Sequence, residues 1–186
     1  PRSMKQAGYC HTFPAIRGIQ AGRACYSAMC PMRIVPKLFK FNEEEVPPEL
    51  RAQRTLNRSR IPEISSYLVD NPSDYTLSSL TASIDGMVTF EPMMDMGFGQ
   101  NLGTLSIPMD AQILINDGQH RRAAIEEAIK ENSELGHDNI SVLFFVDEGL
   151  TRSQQMFADL NKHAVRPSDS ISTLYDQRDS IADLAR

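Results

Sequence analysis

The sequence lacks long apolar runs, and this absence excludes a whole class of proteins. Its mean hydropathy is −0.34, and without a stretch of about 20 apolar residues we expect no membrane-spanning helix. No apolar segment of the signal-peptide type follows the first residues. We therefore expect a cytoplasmic protein without a membrane partner, with Met4 as its natural start.

Cysteine is also scarce. The residues present, Cys10, Cys25 and Cys30, are odd in number in a chain without a secretory signal. Reduced thiols are therefore expected, and a disulfide framework is not. The spacing between Cys25 and Cys30 is wider than that of common zinc knuckles. We predict no metal site and no certain cofactor.

Charges of both signs are present but unevenly placed. The net charge is −5, yet residues 1–60 carry 11 Lys and Arg against 4 Asp and Glu, whereas residues 61–186 carry 8 against 20. A basic front segment on an acidic body can steer an anionic partner despite the overall sign. The alternative, that the two regions neutralise one another in the folded chain, is left open.

Apolar patterns are clearest in the second half of the chain. Residues 111–115 predict a buried strand, Gly118 interrupts it, and residues 121–131 carry apolar positions at helical spacing. Residues 140–146 predict another strand, and residues 61–69 predict a helix. These elements indicate an α+β (mixed α/β) fold, in which a small mixed sheet is surrounded by helices.

Three less regular segments give local predictions. Asp85 and Gly86 lie between two short apolar runs and predict a hairpin turn. Residues 33–41 predict one or two short strands interrupted by Pro36. Residues 93–103, with three methionines and three glycines, predict a mobile loop.

The segment that carries chemistry is Asp117-Gly118-Gln119-His120-Arg121-Arg122. A glycine between a buried strand and a helix permits a tight turn, and the first N–H groups of the helix then favour an anion. Arg121 or Arg122 can donate two hydrogen bonds to a phosphate, and His120 can donate a hydrogen bond or act as acid or base. Asp117 can hold a metal or orient a neighbour. The alternative is a polar turn that only caps the helix.

A second polar cluster consists of Asn161, Lys162, His163 and Arg166. It joins the end of one predicted helix to the start of the next, where donors and a helix N-terminus favour anions. Taken alone, the residues favour a different interpretation: a solvated loop whose basic side chains complement the end of the preceding helix.

Residues 117–121, Asp-Gly-Gln-His-Arg, are the signature of DGQHR-domain proteins, and their surroundings resemble the DndB branch of that group. The resemblance extends to residues 48–54, 80–86, 114–128 and 155–163. It implies a protein encoded beside the enzymes that replace a non-bridging DNA phosphate oxygen by sulfur. Such a protein is expected to be a transcriptional repressor that binds promoter DNA, not the sulfur-inserting enzyme.

More distantly, the segment is similar to ParB and sulfiredoxin, where a glycine turn at a helix start holds nucleotide phosphates. Gln119 stands where sulfiredoxin has its catalytic cysteine, so sulfinic-acid reduction is not expected. The resemblance predicts a ParB/sulfiredoxin-like fold with a phosphate or nucleotide site. Its members would be Asp117, Gly118, Gln119, His120, Arg121, Arg122, Asn161, Lys162, His163 and Arg166.

The candidates for contact with DNA are Arg51, Arg54 and Arg58, on one face of a predicted helix, and Arg60 just beyond it. The alternative is that these arginines pair with the acidic body or pack their stems on apolar surface. Cys30 lies in the basic segment, where a neighbouring cation would lower its pKa and make DNA affinity depend on the thiol. The alternative for Cys30 is a small core residue.

We predict one DGQHR-type domain over residues 4–186, with a basic front segment 4–60 and a core 61–186, in a natural chain that extends further. The expected partners are double-stranded promoter DNA, other DNA sulfur-modification proteins and, by operator symmetry, further copies of the chain. One alternative is a nucleotide hydrolase or switch that uses Asp117 and His120 with ATP or CTP and Mg. Another alternative is a scaffold for the modification enzymes.

Overall fold

A computed structural model describes residues 8–39 and 57–162. It confirms the mixed α/β class, because the described residues contain a seven-stranded mixed sheet and four α-helices. The strands are β1 (Cys10–Gln20), β2 (Arg23–Pro31), β3 (Leu80–Asp85), β4 (Thr89–Pro92), β5 (Leu102–Pro108), β6 (Gln112–Asp117) and β7 (Asn139–Val146). The helices are α1 (Val35–Leu38), α2 (Arg60–Asp70), α3 (Gln119–Glu131) and α4 (Ser153–Lys162).

Four of the strands form one long bent ribbon. β3 pairs antiparallel with β6, and β4 pairs antiparallel with β5. The segments 86–88 and 109–111 separate the two halves of the ribbon. These segments touch, because a side chain at Gly86 would come within 2.8 Å of the Cβ atom of Ala111. The chain therefore bends at Gly86, and β4 continues beside β5, the strand that directly precedes β6 in the sequence.

The other strands join the two halves of this ribbon into a curled sheet. The order is β4-β5-β1-β2-β7-β3-β6, with β3 and β7 parallel and the other pairs antiparallel. β3 and β4 are distant in this order, yet only residues 86–88 connect them. Because a short connection cannot cross a flat sheet of this width, the sheet must curl until its ends approach.

The main core lies on one face of the sheet and includes residues of the first three helices. Ile84 of β3, Phe144 of β7, Leu68 of α2 and Ile125 of α3 belong to it and are fully buried. α4 lies against the opposite face, because its Met156 contacts Oγ of Ser83, which directly precedes Ile84 in β3 and therefore points to the other side of the sheet. The end of β6 is therefore held from both faces of the sheet.

Several sequence predictions are confirmed. The apolar runs at 111–115 and 140–146 lie in β6 and β7, and the helices predicted at 61–69 and 121–131 are α2 and α3. Both helices begin one or two residues earlier than predicted, which is the usual uncertainty at helix ends. Across the described ranges, no helix combines the length and the apolar character needed to cross a bilayer.

Three local predictions are wrong. The hairpin at Asp85 and Gly86 does not form, because the chain continues there into β4 and reverses only at residues 93–101. The described part of residues 33–41 contains the short helix α1, since Pro36 in a first helical turn has the φ that a helix requires. Residues 93–103 are not a loop throughout, because they contain a 3₁₀-helix (Gly97–Asn101) and the start of β5.

Candidate functional site

The candidate site is the junction between β6 and α3. β6 ends at Asp117, Gly118 has φ 102° and ψ 22°, and α3 begins at Gln119. This left-handed conformation favours glycine. Space favours it too, because a Cβ atom at Gly118 would overlap Cδ2 of the fully buried Leu80. The turn thus lies directly on the core, with the first N–H groups of α3 beside it.

A bulge in β6 precedes the turn and redirects Asn116. The register of β3 against β6 shifts between Thr81 and Ala82, so Asn116 is an extra residue in its strand. Its Nδ2 donates to Oγ of Ser83 at 2.7 Å, and its Oδ1 accepts from Oγ of Ser153 at 2.6 Å. All three side chains are fully buried. This network fixes the end of β6 to β3 and to the start of α4.

Arg121 bonds across the turn to residues on both of its sides. Its Nη2 donates to Oδ2 of Asp117 at 2.9 Å and to the backbone oxygen of Ser79 at 3.0 Å. The side chain of Arg121 is 22% exposed and that of Asp117 is 44% exposed, so this ion pair is only partly screened by water. Arg121 therefore joins β6, α3 and the segment before β3.

Arg122 and Gln119 also have partners within the fold. Arg122 donates through Nη1 to Oε2 of Glu126 at 2.8 Å and through Nη2 to the backbone oxygen of Pro36 at 3.1 Å, which joins α3 to α1. Nε2 of Gln119 lies 3.4 Å from the backbone oxygen of Ile115, to which it donates. Both side chains therefore contribute to positioning α3.

His120 connects the turn to the start of α2. Its Nε2 accepts a hydrogen bond from the backbone N–H of Asn57 at 2.9 Å, and Oδ1 of Asn57 accepts from Ser59 just before α2. Partial burial lowers the pKa of His120, and the nearby charges of Arg60 and Arg121 lower it further. The neutral imidazole is therefore the form that this hydrogen bond requires.

A His120→Gln variant is expected to lose less free energy of unfolding than the wild type when the pH is lowered. An unfolded histidine has a pKa of about 6.5, and the folded pKa of His120 is lower, so the unfolded chain binds the proton more tightly. The stability contributed by the neutral imidazole is therefore present above that unfolded pKa and is lost as pH falls from it through the folded pKa. Urea unfolding between about pH 8 and pH 5 measures this loss.

Glutamine offers an acceptor oxygen to Asn57 but does not titrate in this range. His11 provides the comparison, since burial lowers its pKa as well, and a His11→Gln variant should show a separate, additive effect. The same acid-side loss of stability in wild type and in the His120→Gln variant would contradict the role given to His120.

The remaining predicted site residues are only partly described. Arg51, Arg54, His163 and Arg166 lie outside the described residues, whereas Arg58 and Arg60 lie at the start of α2 and are exposed. Asn161 and Lys162 are exposed at the end of α4, and Nδ2 of Asn161 donates to the backbone oxygen of Phe157 at 2.7 Å. In residues 8–39 and 57–162, no hydrogen bond or ion pair joins Asn161 or Lys162 to the turn. Their role as phosphate ligands stays a prediction.

The expectation of a reactive thiol at Cys30 is wrong. Cys30 is fully buried in the main core, and burial raises its pKa to about 12. Removing the thiolate from water outweighs the effect of a basic neighbour on the chain. A side chain without exposed surface also has no contact to offer DNA in this fold.

The buried network around Asn116 is not predictable from the sequence motifs. The one indication in the sequence is that Asn116 directly follows the apolar residues 113–115. Burying a polar side chain at such a position without a hydrogen-bond partner would destabilise the fold. Metal ligands do not gather nearby: no group of three or more His, Cys, Asp or Glu side chains suited to a metal occurs in the described part of the chain. The site therefore consists of a glycine turn, two bonded arginines, a neutral histidine and the exposed start of α2.

Comparison with known proteins gives one match. A family model described as "DndB: DNA-sulfur modification-associated" matches residues 13–186. No curated protein and no solved structure matches the chain.

Proposed function

The chain belongs to the DndB family of DNA-sulfur-modification-associated proteins, and from that premise we propose that it is a DNA-binding repressor of a DNA sulfur-modification gene cluster. In this proposal the basic surface at the start of α2 contacts the phosphates of promoter DNA. The turn at Gly118 holds that surface in place and offers a further phosphate site.

The hydrogen bond from the N–H of Asn57 to Nε2 of His120 is the observation that carries this proposal. It joins the Asp117–Arg122 turn to the arginine-bearing start of α2, although the two residues are 63 positions apart in the sequence. Arg58 and Arg60 are exposed there, and Arg60 is close enough to His120 to lower its pKa. Cations from two separate segments thus lie beside one another, as phosphate binding requires.

The two helix starts add to this positive surface. α2 begins at Arg60 and α3 at Gln119, and the hydrogen bond of His120 lies between them. The N-terminus of each helix carries a partial positive charge. Exposed arginines next to two helix N-termini favour an extended polyanion such as the DNA backbone.

A nucleotide-binding switch is a second candidate for the same site. The left-handed Gly118 directly before α3 supports it, because glycine turns of this kind let phosphate groups approach backbone N–H groups. ATP or CTP with Mg would then bind at the turn, and isothermal titration calorimetry can detect it. Saturable heat that an Arg121→Lys variant reduces would favour the switch, whereas promoter binding without nucleotide binding would favour the simple repressor.

An Arg58→Ala/Arg60→Ala variant is expected to bind promoter DNA at least about tenfold more weakly than the wild type. Each lost phosphate contact should also reduce the slope of log affinity against log salt by about one, because fewer counterions are released. Fluorescence anisotropy with a labelled promoter duplex and a scrambled duplex, over a salt series, measures both quantities. The wild type should prefer the promoter duplex.

An Arg33→Ala/Lys130→Ala variant is the matched control. It removes the same number of positive charges at the other end of α3, since Arg33 N–H donates to the backbone oxygen of Gly136, just beyond that helix. Its affinity and salt slope should stay near those of the wild type. Equal weakening in both double variants would mean that only net charge matters, and no promoter preference in the wild type would rule out the repressor.

A further inference from the structure

The face of the sheet opposite the main core carries apolar side chains along its middle strands. In β2 and β7 every second residue belongs to the main core, and the residues between them point the other way. On this second face Ser27 pairs with Leu143 on one side and with Ile16 of β1 on the other. Two residues along, Cys25 pairs with Phe145. We define the outer patch as Ile16, Cys25, Ser27, Met29, Leu143 and Phe145.

The composition of β7 indicates that this strand is covered on both faces. Leu143 and Phe145 alternate with residues of the main core, so the apolar run is continuous. A strand with one face in water alternates apolar and polar residues, whereas a continuous apolar run is typical of a strand buried on both sides. Phe145 is only 5% exposed, and the guanidinium carbon of Arg23 lies 5.4 Å from the centre of its ring. Arg23 thus closes one end of the outer patch.

The remainder of the outer patch is accessible. Ile16 is 56% exposed, Met29 is 47% exposed, and Leu143 is half-buried. Ser27 is the small side chain at the centre, with Ile16 and Leu143 across the strands and Cys25 and Met29 along β2. A small residue surrounded by larger apolar ones leaves room for a large apolar side chain from another segment.

α4 covers the neighbouring part of the same face. Its Met156 contacts Ser83 of β3 and Asn116 of β6, and Ser153 at its start bonds to Asn116. β3 lies directly beside β7 in the sheet. The chain therefore leaves α4, after Lys162, on the face that carries the outer patch.

We infer that residues 163–186, which follow α4 and lie outside the described ranges, dock on the outer patch as an amphipathic helix. Ser168 is a typical residue to begin such a helix. The large apolar residues that recur at helical spacing and share one side of it are Ile171, Leu174, Tyr175 and Ile181. A helix with one apolar stripe buries that stripe against the open face of a sheet.

The length of this segment fits the outer patch. A helix over residues 168–186 is about 28 Å long, and residues 163–167 span up to about 17 Å when extended. The patch extends over β1, β2 and β7, which are neighbours in the sheet, and neighbouring strands are about 5 Å apart. The helix is therefore long enough to cross all three strands from the side of β3.

The other stretches outside the described residues suit this place less well. Residues 40–56 connect Phe39, which is buried in the main core, to Asn57, which bonds to the first turn of α3. Both of their ends therefore lie with the helices on the other face. Residues 1–7 contain one large apolar side chain, Met4. A second copy of the chain and a different protein are the remaining occupants, and they give different results below.

Docking gives a defined place to two residues of the predicted phosphate site. His163 and Arg166 lie between α4 and the docked helix in the sequence, so both ends of their short segment would be fixed to the same face of the sheet. Docking itself is independent of the repressor proposal, because it follows from the outer patch and the end of α4.

Hydrogen exchange with mass spectrometry on the full chain measures the docking directly. In the wild type, amides of residues 168–186 should exchange at least about tenfold more slowly than in the free peptide of the same sequence. An Ile16→Glu variant should lose this protection, because a carboxylate replaces an apolar contact. Ile19→Glu is the matched control, since Ile19 is 77% exposed on the same strand but pairs with Ala24 on the opposite face, and it should keep the protection.

A cross-link gives a second measurement that does not depend on the Ile16→Glu variant. In a Cys10→Ser background, which removes the exposed native thiol, a short bis-maleimide should join the cysteines of a Met29→Cys/Leu174→Cys chain. It should not join those of a Met29→Cys/Ser172→Cys chain, because two residues along a helix are about 200° around its axis. Mixing isotope-labelled and unlabelled chains shows whether a link lies within one chain or between two.

Three outcomes would overturn the inference. The first is a wild type whose residues 168–186 exchange as fast as the free peptide, and the second is equal protection in the Ile16→Glu and Ile19→Glu variants. The third is a Met29→Cys/Leu174→Cys chain that stays unlinked, as expected if a different protein occupies the patch, or that links only to another chain, as expected for a second copy. DNA is absent from both measurements, so these outcomes are distinguishable from a failure of the repressor proposal.

Discussion

Replacing Gly118 with alanine is expected to lower the free energy of unfolding by about 3 kcal/mol. Part of this loss, about 1–2 kcal/mol, comes from forcing a residue with a Cβ atom into the left-handed conformation at φ 102°. The rest comes from overlap of the new Cβ atom with Cδ2 of Leu80, which is fully buried and cannot move outward. Urea unfolding with linear extrapolation measures the change.

Gly22 provides the matched control for this substitution. It has a φ of 72° in the turn between β1 and β2, and no atom lies within 4 Å of the position that its Cβ atom would occupy. A Gly22→Ala variant should therefore show only the conformational part of the loss, about 1 kcal/mol. Equal losses in the two variants would show that the contact with Leu80 adds nothing at Gly118.

The junction of β6 and α3 could be predicted from the sequence because its signals are local. A short apolar run, a glycine and apolar residues at helical spacing follow one another without interruption, and each favours the same structure. β1 was harder to predict, because Pro14 and Gly18 interrupt it. Pro14 is tolerated there because the pairing of β1 with β2 begins only at Ala15.

The long ribbon could not be predicted from local signals. Asp85 and Gly86 have the composition of a hairpin turn, but Gly86 is required for a different reason, namely the close approach of Ala111. Whether a glycine reverses the chain or lets another strand approach depends on which strand lies opposite. That information is in the pairing of β3 with β6, far away in the sequence.

The strand–glycine–helix junction of the candidate site is predictable from the sequence, but the bonding partners of its residues are not. Arg121 and Arg122 have side chains that suit phosphate, yet in the folded chain they bond to Asp117 and Glu126 within α3 or next to it. The sequence predicts that His120 is an acid, a base or a hydrogen-bond donor. In the folded chain its Nε2 accepts a hydrogen bond from the backbone N–H of Asn57, which is distant in the sequence. Local sequence therefore shows where polar side chains cluster. Which of them bond within the fold, and which stay available to a ligand, depends on tertiary contacts that the local sequence does not contain.

Replacing Asn116 with alanine is expected to cost about 3 kcal/mol of folding free energy. The substitution removes the groups that pair with the hydroxyls of Ser83 and Ser153, at 2.7 Å and 2.6 Å. All three side chains are fully buried, and a buried polar group that loses its partner costs about 1–3 kcal/mol. Because Asn116 directly precedes Asp117, the loss should also loosen the start of the Gly118 turn.

A double-mutant cycle with Ser153→Ala separates the network from simple loss of packing. The Ser153→Ala variant alone should cost about 1–2 kcal/mol, and the double variant should cost about 1 kcal/mol less than the sum of the single losses, since the hydrogen bond between the two side chains is lost only once. Asn161→Ala is the matched control, because Asn161 is exposed and bonds only to its own helix in the described residues, and it should change stability by less than about 0.5 kcal/mol. Losses that simply add would mean that the side chains of Asn116 and Ser153 contribute to stability independently of one another.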